Sequence, residues 1–236
     1  MMPRLGLLVC DAIWEPLRSR HGDYPDMFDA LLDAAGARFD LVPYATHRGV
    51  LPTSPQECDA WLITGSRAAV YEPPPWQEPL TACVRSIAGA GAPLVGICFG
   101  HQLLATTFGG HTMRSEEGWG LGNIEHQIHR SMPSFPRPDG PLKLHMAHQD
   151  QVLTLPPDAQ IIASTAHCPQ AIFTLGERIL GIQGHPEFTS DFMREMTLEE
   201  TLDIPPETRA LALASYQSAP EPASFANLLA DFLGLR

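Results

Sequence analysis

The stretch Val95 to Leu104 reads VGICFGHQLL: an apolar run stops at Cys98, with Gly96 and Gly100 two residues away on either side. G-x-C-x-G has the form of a nucleophile elbow, a sharp strand-to-helix turn that pushes one side chain out at the carboxyl edge of a sheet. The glycines are needed because the nucleophile sits in a strained backbone conformation with neighbouring chains too close for a Cβ. A helix expected over residues 101–108 would point its N-terminus, and its free N–H groups, at the sulfur, which favours a thiolate. The N–H groups of Phe99 and of Gly65, where an earlier strand-like run ends, can form an oxyanion hole worth ~3 kcal/mol per donor. A buried cysteine in a glycine turn would read the same way, so the chemistry also needs a base.

That base comes far downstream, in IQGHPEF, residues 182–188. An apolar run delivers His185, Pro186 fixes the turn, and Glu187 follows two residues after the histidine. A carboxylate so placed can accept from one imidazole nitrogen, hold the ring, and leave the other nitrogen to deprotonate Cys98. The expectation is a Cys98-His185-Glu187 triad. A lone His-Pro-Glu would be an ordinary strand-end turn, but the elbow gives it a partner. His101, beside the elbow at a helix start, is expected to pack beneath the site rather than act as the base. His145, His148, His167 and Cys168 lie near one another, yet none of their spacings is a metal-ligand signature. No metal and no cofactor is expected.

The elements around these residues must bring them together. Leu5 to Cys10 is a short apolar run, Pro25 to Ala35 has helical spacing ended by Gly36, and Arg38 to Val42 looks extended, which makes a βαβ opening. Ala60 to Thr64 is a second apolar run; a helix with Trp76, Leu80, Val84 and Ile87 inward leads to a third, Leu94 to Ile97. Strands without polar alternation, separated by helices, indicate a parallel sheet covered on both faces. After Gly110 the texture changes to short, partly alternating segments, from Thr112–Arg114 to Ile179–Ile182, read as β hairpins that extend or flank the sheet. Helices are expected over 191–202, 207–215 and 224–233. No domain boundary is visible, so residues 1–236 are read as one domain.

The 236 residues, 44% hydrophobic and 18% charged, suit a sizeable α/β core. A formal charge of −12, with 15 scattered Lys and Arg, argues against nucleic acid as a partner. There is no early apolar run of about 18 residues and no signal-peptide pattern, so no membrane association and a cytoplasmic location are expected. The five cysteines lack CxxC spacing and read as reduced thiols. The 23 prolines fall in connections such as 72–75 and 131–141.

GICFGHQLLA (96–105), HMAHQDQV (145–152) and GIQGHPEF (181–188), in that order, resemble the class I glutamine amidotransferase domain, and the resemblance covers most of the chain. It implies a three-layer, flavodoxin-like α/β sandwich with a mostly parallel central sheet and added β hairpins. It implies that Cys98 attacks the side-chain amide of a γ-glutamyl substrate, that His185 relays the proton and Glu187 orients it, and that Gly65 and Phe99 offer the oxyanion N–H groups. Gln102, with backbone near Gln149, would hold the glutamyl amino and carboxylate ends, and Asp150 would shape the rim. A γ-glutamyl thioester would form on Cys98 and water would release glutamate. TGSRAAVYEPPPW (64–76) is similar to the stand-alone branch that includes γ-glutamyl peptide hydrolases, although Gly65-Ser66 stands where many amidotransferases have a Gly-Gly-Pro or Gly-Pro-Gly loop. No G-x-x-x-x-G-K-[ST] loop and no S-G-G-x-D-S is present, so a synthetase consuming ammonia would be a separate chain. The substrate is then glutamine or a γ-glutamyl peptide or amine. A regulatory subunit without turnover is disfavoured by the intact Cys98, His185 and Glu187, and the other elbow-cysteine families by Gln102 and the His-x-Glu pair. Tyr71 and Trp76 flank a proline-rich loop able to lie over the site.

Overall fold

The computed structural model describes residues 2–131, 141–217 and 222–236. Four runs of small and branched apolar residues form the first strands: β1 (Arg4–Leu8), β2 (Asp40–Tyr44), β3 (Ala60–Ile63) and β4 (Leu94–Ile97). β3 and β4 are buried along their whole length, as strands covered on both faces must be. The later strands are β5 (His111–Arg114), β6 (Gly120–Ile128), β7 (Leu142–His148), β8 (Asp150–Thr154), β9 (Ala159–Ser164), β10 (Ile172–Leu175) and β11 (Ile179–Ile182).

Nine strands make one sheet in the order β2-β1-β3-β4-β11-β10-β9-β6-β7. From β2 through β11 the neighbours are parallel, and from β11 to β7 they are antiparallel. The hairpin segments thus extend the sheet, as expected, with one exception. β5 pairs antiparallel with β8 as a separate ribbon.

The helices are α1 (Leu17–His21), α2 (Tyr24–Ala34), α3 (Gln77–Gly89), α4 (Phe99–Thr107), α5 (Ser190–Leu198), α6 (Pro206–Ser215) and α7 (Pro222–Leu233). α2 starts where Asp23 and Asp26 form a reciprocal capping box with Pro25 in the first turn. Alternate strand residues feed two cores. Leu62, Val95, Ile97, Leu180 and Ile182 pack with residues of α2, α5 and α7, whereas Trp61, Ile63, Leu94 and Ile179 pack with those of α3 and α4. The result is helix, sheet and helix in three layers.

Two details differ from the sequence expectation. The five-residue α1 has no periodic signature. α5 ends at Leu198 rather than Leu202 because Glu199 turns extended (φ −60°, ψ 120°), and the Arg209 guanidinium donates to the carbonyls of Thr197, Glu199 and Leu202 in place of further helical bonds. The proline-rich connection at 131–141 lies, apart from its ends, outside the described residues. Among the described residues no helix is long and apolar enough to cross a membrane.

Candidate active site

β4 ends at Ile97 and α4 begins at Phe99, so Cys98 alone makes the turn, at φ 51° and ψ −101°. A side chain in this left-handed region costs about 1–3 kcal/mol and persists only where its surroundings hold it. They do so through glycine: a Cβ on Gly100 would lie 2.6 Å from the Ile63 carbonyl oxygen and 2.8 Å from Ile63 Cβ. Gly100→Ala is therefore expected to lower stability by about 1–3 kcal/mol through overpacking of α4 on β3. A shift in the denaturant midpoint checks this, with Gly89→Ala, at the end of α3 where a Cβ meets nothing within 4 Å, as the control expected to be neutral or slightly stabilised.

β4 and β11 are adjacent and parallel, with Ile97 level with Ile182, so both run out at the same carboxyl edge. The Cys98 N–H donates to the Ile182 carbonyl at 2.8 Å, and His185, three residues past Ile182, donates its backbone N–H to the His145 carbonyl at 2.7 Å. The imidazole is thus clamped between β4 and β7. Its Nδ1 lies 2.7 Å from Glu187 Oε1. A carboxylate only accepts, so Nδ1 is the donor, which leaves Nε2 for the Cys98 sulfur lining the same cavity. Burial alone would push the imidazole pKa down. The Glu187 charge, the Cys98 sulfur and the bond to Glu187 outweigh burial and hold it up at about 10. Glu187 Oε2 is buried without a partner, so the negative charge is directed at the ring.

Gly65 follows β3 at the same edge. A Cβ there would lie 3.0 Å from His185 Cε1, 3.2 Å from the Tyr24 hydroxyl and 3.7 Å from Cys98 Cβ. Phe99 opens α4, and its N–H, in the first helical turn, has no intrahelical acceptor. Cys98, Gln102, Gln149, Asp150 and His185 all line one cavity of about 470 Å³. Both N–H groups of Gln102 already point at protein acceptors, the Asp150 carbonyl at 2.9 Å and Gln183 Oε1 at 3.1 Å. What Gln102 can offer a ligand is its carbonyl oxygen. The Gln149 carbonyl accepts from the Ser115 N–H at 2.8 Å, and the Asp150 carboxylate accepts from the Tyr71 hydroxyl at 3.0 Å. Burial raises the Asp150 pKa against the lowering by Tyr71 and Arg114.

The proline-rich loop meets the site through Tyr71 and Glu72, whereas Trp76 packs on Phe99 at 5.5 Å between ring centroids. His101 is fully buried against Phe173, and burial drives its pKa down to about 3, which keeps it neutral. Among the described residues no three His, Cys, Asp or Glu side chains are grouped to hold a metal. Sequence reasoning gave no role to Phe188 or Tyr24. Phe188 stacks on the His185 ring at 4.1 Å and 7°, and its place directly after His-Pro-Glu was the available signal. Tyr24, buried with its phenol pKa raised by burial and then by the Glu187 and Cys98 charges, sits too far along the chain to announce itself.

Residues 27–203 match the family described as Glutamine amidotransferase class-I. γ-Glutamyl peptidase 4 of Arabidopsis thaliana is 30% identical over 186 residues, covering 75% of this chain and 72% of the relative. A GMP synthase [glutamine-hydrolyzing] of Thermomicrobium roseum is 32% identical over 154 residues, 63% of this chain but only 26% of that longer protein. A glutamine amidotransferase structure from Thermotoga maritima superposes with a TM-score of 0.76 at 18% identity, covering 99% of each chain.

Proposed function

Because this chain belongs to the class-I glutamine amidotransferase family, we propose that it hydrolyses the γ-amide of glutamine or of a γ-glutamyl peptide or amine through a thioester on Cys98. The observation that carries this reading is that Cys98 and His185 line one cavity beside Gly65, where a Cβ would lie 3.7 Å from Cys98 Cβ and 3.0 Å from His185 Cε1, with the imidazole Nδ1 held at 2.7 Å by Glu187.

In this reading the imidazolium of His185, which is protonated at neutral pH, favours negative charge on the facing sulfur. The sulfur attacks the γ-carbonyl carbon, and the oxyanion that forms meets the N–H groups of Phe99 and Gly65. His185 gives its proton to the amide nitrogen, the C–N bond breaks and the amine leaves. The thioester has removed one of the two negative charges that held the imidazole proton. The now neutral ring can take a proton from water, whose oxygen attacks the thioester; the C–S bond breaks, and glutamate and the sulfur–imidazolium pair are restored. Gln102, Gln149 and Asp150 line the acyl side and are proposed to hold the glutamyl amino and carboxylate groups through their carbonyl and carboxylate oxygens and nearby N–H groups. The site needs no metal or cofactor, and residues 1–236 act as one domain.

The direct test is incubation with glutamine and with γ-glutamyl dipeptides, measuring glutamate and ammonia. Glutamine turnover only in the presence of a second, co-purifying chain would favour an ammonia-supplying subunit, the reading suggested by the GMP synthase relative. The pH dependence is also set. A raised pKa means the imidazolium is present below about 10 and lost above it, so kcat/KM is expected to decline on the alkaline side near pH 10 rather than near the ordinary histidine value. A rate profile at constant ionic strength reads this limb.

A further inference from the structure

A cavity of about 470 Å³ is in the range that takes drug-sized ligands, larger than a single amino acid needs, and its walls are of two kinds. Gln102, Gln149, Asp150 and Arg114 form a polar set, tied together by the Gln102 bond to the Asp150 carbonyl and by the Arg114 charge near the Asp150 carboxylate. Phe188, Phe192, Met196, Trp14, Trp119 and Leu202 form an apolar set: the first three belong to one core cluster, and the other three, partly buried, pack against it.

We propose that the apolar set is the leaving-group subsite, and that the preferred substrates are γ-glutamyl amides whose amine carries a bulky apolar, preferably aromatic, group. The inference rests on the reading of Cys98 and His185 given above. The group that protonates the departing nitrogen must face it, so the substituent on that nitrogen emerges beside the His185 ring. That ring is covered by Phe188, stacked at 4.1 Å, and Phe188 continues into Phe192 at 4.3 Å. The partly buried indole of Trp119 is fixed at the same cavity by its Nε1–H bond to the Asp203 carbonyl at 2.8 Å. Ammonia leaving from glutamine would use none of this surface. An aromatic amine would cover the part of it that is still exposed, on Trp14, Trp119 and Leu202, since Phe188, Phe192 and Met196 are already buried in the core, and would displace water from it. The step is otherwise that of any γ-glutamyl amide: the C–N bond breaks, the amine leaves with the His185 proton, and water supplies the oxygen of glutamate.

The experiment compares kcat/KM for glutamine, γ-glutamyl methylamide and γ-glutamyl phenethylamide, the last two releasing amines of similar basicity, in the wild type, Cys98→Ser, Trp119→Ala and Trp14→Ala. The phenethylamide is expected to exceed glutamine and the methylamide by about tenfold or more, the scale of an aromatic contact. In both tryptophan variants the phenethylamide-to-methylamide ratio is expected to fall several-fold. Two variants are used because each tryptophan has a different second contact, Trp119 with the Asp203 carbonyl and Trp14 with the Arg67 guanidinium, 5.4 Å from its ring centroid, so an effect shared by both belongs to the subsite. A phenethylamide rate equal to or below that of the methylamide, or a ratio unmoved in both variants, overturns the subsite while Cys98-dependent turnover still supports the Cys98 reading. If no substrate shows Cys98-dependent release of amine or ammonia, that reading falls and the subsite falls with it.

Discussion

Cys98→Ser is expected to abolish turnover of every γ-glutamyl substrate, a loss of about 10³-fold or more in kcat, with the protein still folded. The substitution changes one atom at a position whose backbone is already in the left-handed region, so φ 51° costs a serine no more than it costs the cysteine. What changes is the nucleophile. A serine hydroxyl holds its proton far more tightly than a thiol, and replacing the sulfur removes one of the influences that raise the His185 pKa, so no charged nucleophile forms beside the ring. Two measurements check this together: thermal unfolding, expected to be close to that of the wild type, and intact-mass analysis after acid quench, expected to trap a glutamyl adduct on the wild type and none on the variant. A variant that kept appreciable turnover would remove Cys98 from the mechanism.

Glu187→Gln is expected to cost about 10²–10⁴ in kcat/KM, by analogy with the tautomer effect of amide replacements in Ser-His-Asp triads. The carboxylate is buried, its Oε2 has no partner, and its charge is the largest influence raising the His185 pKa. An amide there carries no charge and can present its NH₂ to Nδ1. That would turn the ring into the tautomer whose Nε2–H points at the sulfur, and the imidazolium would lose its support. The alkaline limb near pH 10 is therefore expected to move to lower pH in this variant, which a purely structural role for Glu187 would not produce. Glu187→Asp, which keeps the charge, is expected to recover part of the rate and most of the limb.

The elbow was legible because it is local: G-x-C-x-G declares a close approach and a turn whatever the chain does elsewhere, and Gly100 against Ile63 is that approach. His-Pro-Glu was legible for the same reason, since the Glu187 carboxylate needs only a two-residue reach to His185. The strands of the parallel half were readable from unbroken apolar runs such as Ala60–Ile63. What spacing could not reveal was which strand lies beside which. That β11 neighbours β4 depends on pairing between distant segments, and with it comes the meeting of Cys98 and His185. The same limit hid Tyr24 and the Trp119 wall, whose parts come from separate segments. Gln102 lines the same cavity as Cys98, but its N–H groups are spent on Asp150 and Gln183, a matter of tertiary bonding that no motif states.

The position of β11 also bears on biosynthesis. Among the described residues it is the last strand, yet it is laid into the middle of the sheet, between β4 and β10. While residues beyond 178 are still within or near the ribosome, β4 is an unpaired edge and the sulfur after it has no imidazole beside it. Zipping in this strand closes a long loop, a slow event of high contact order. Reactivity should therefore arrive abruptly with completion of the sheet, and nascent chains arrested before that point should lack activity-based labelling at the thiol, however well their first half has condensed.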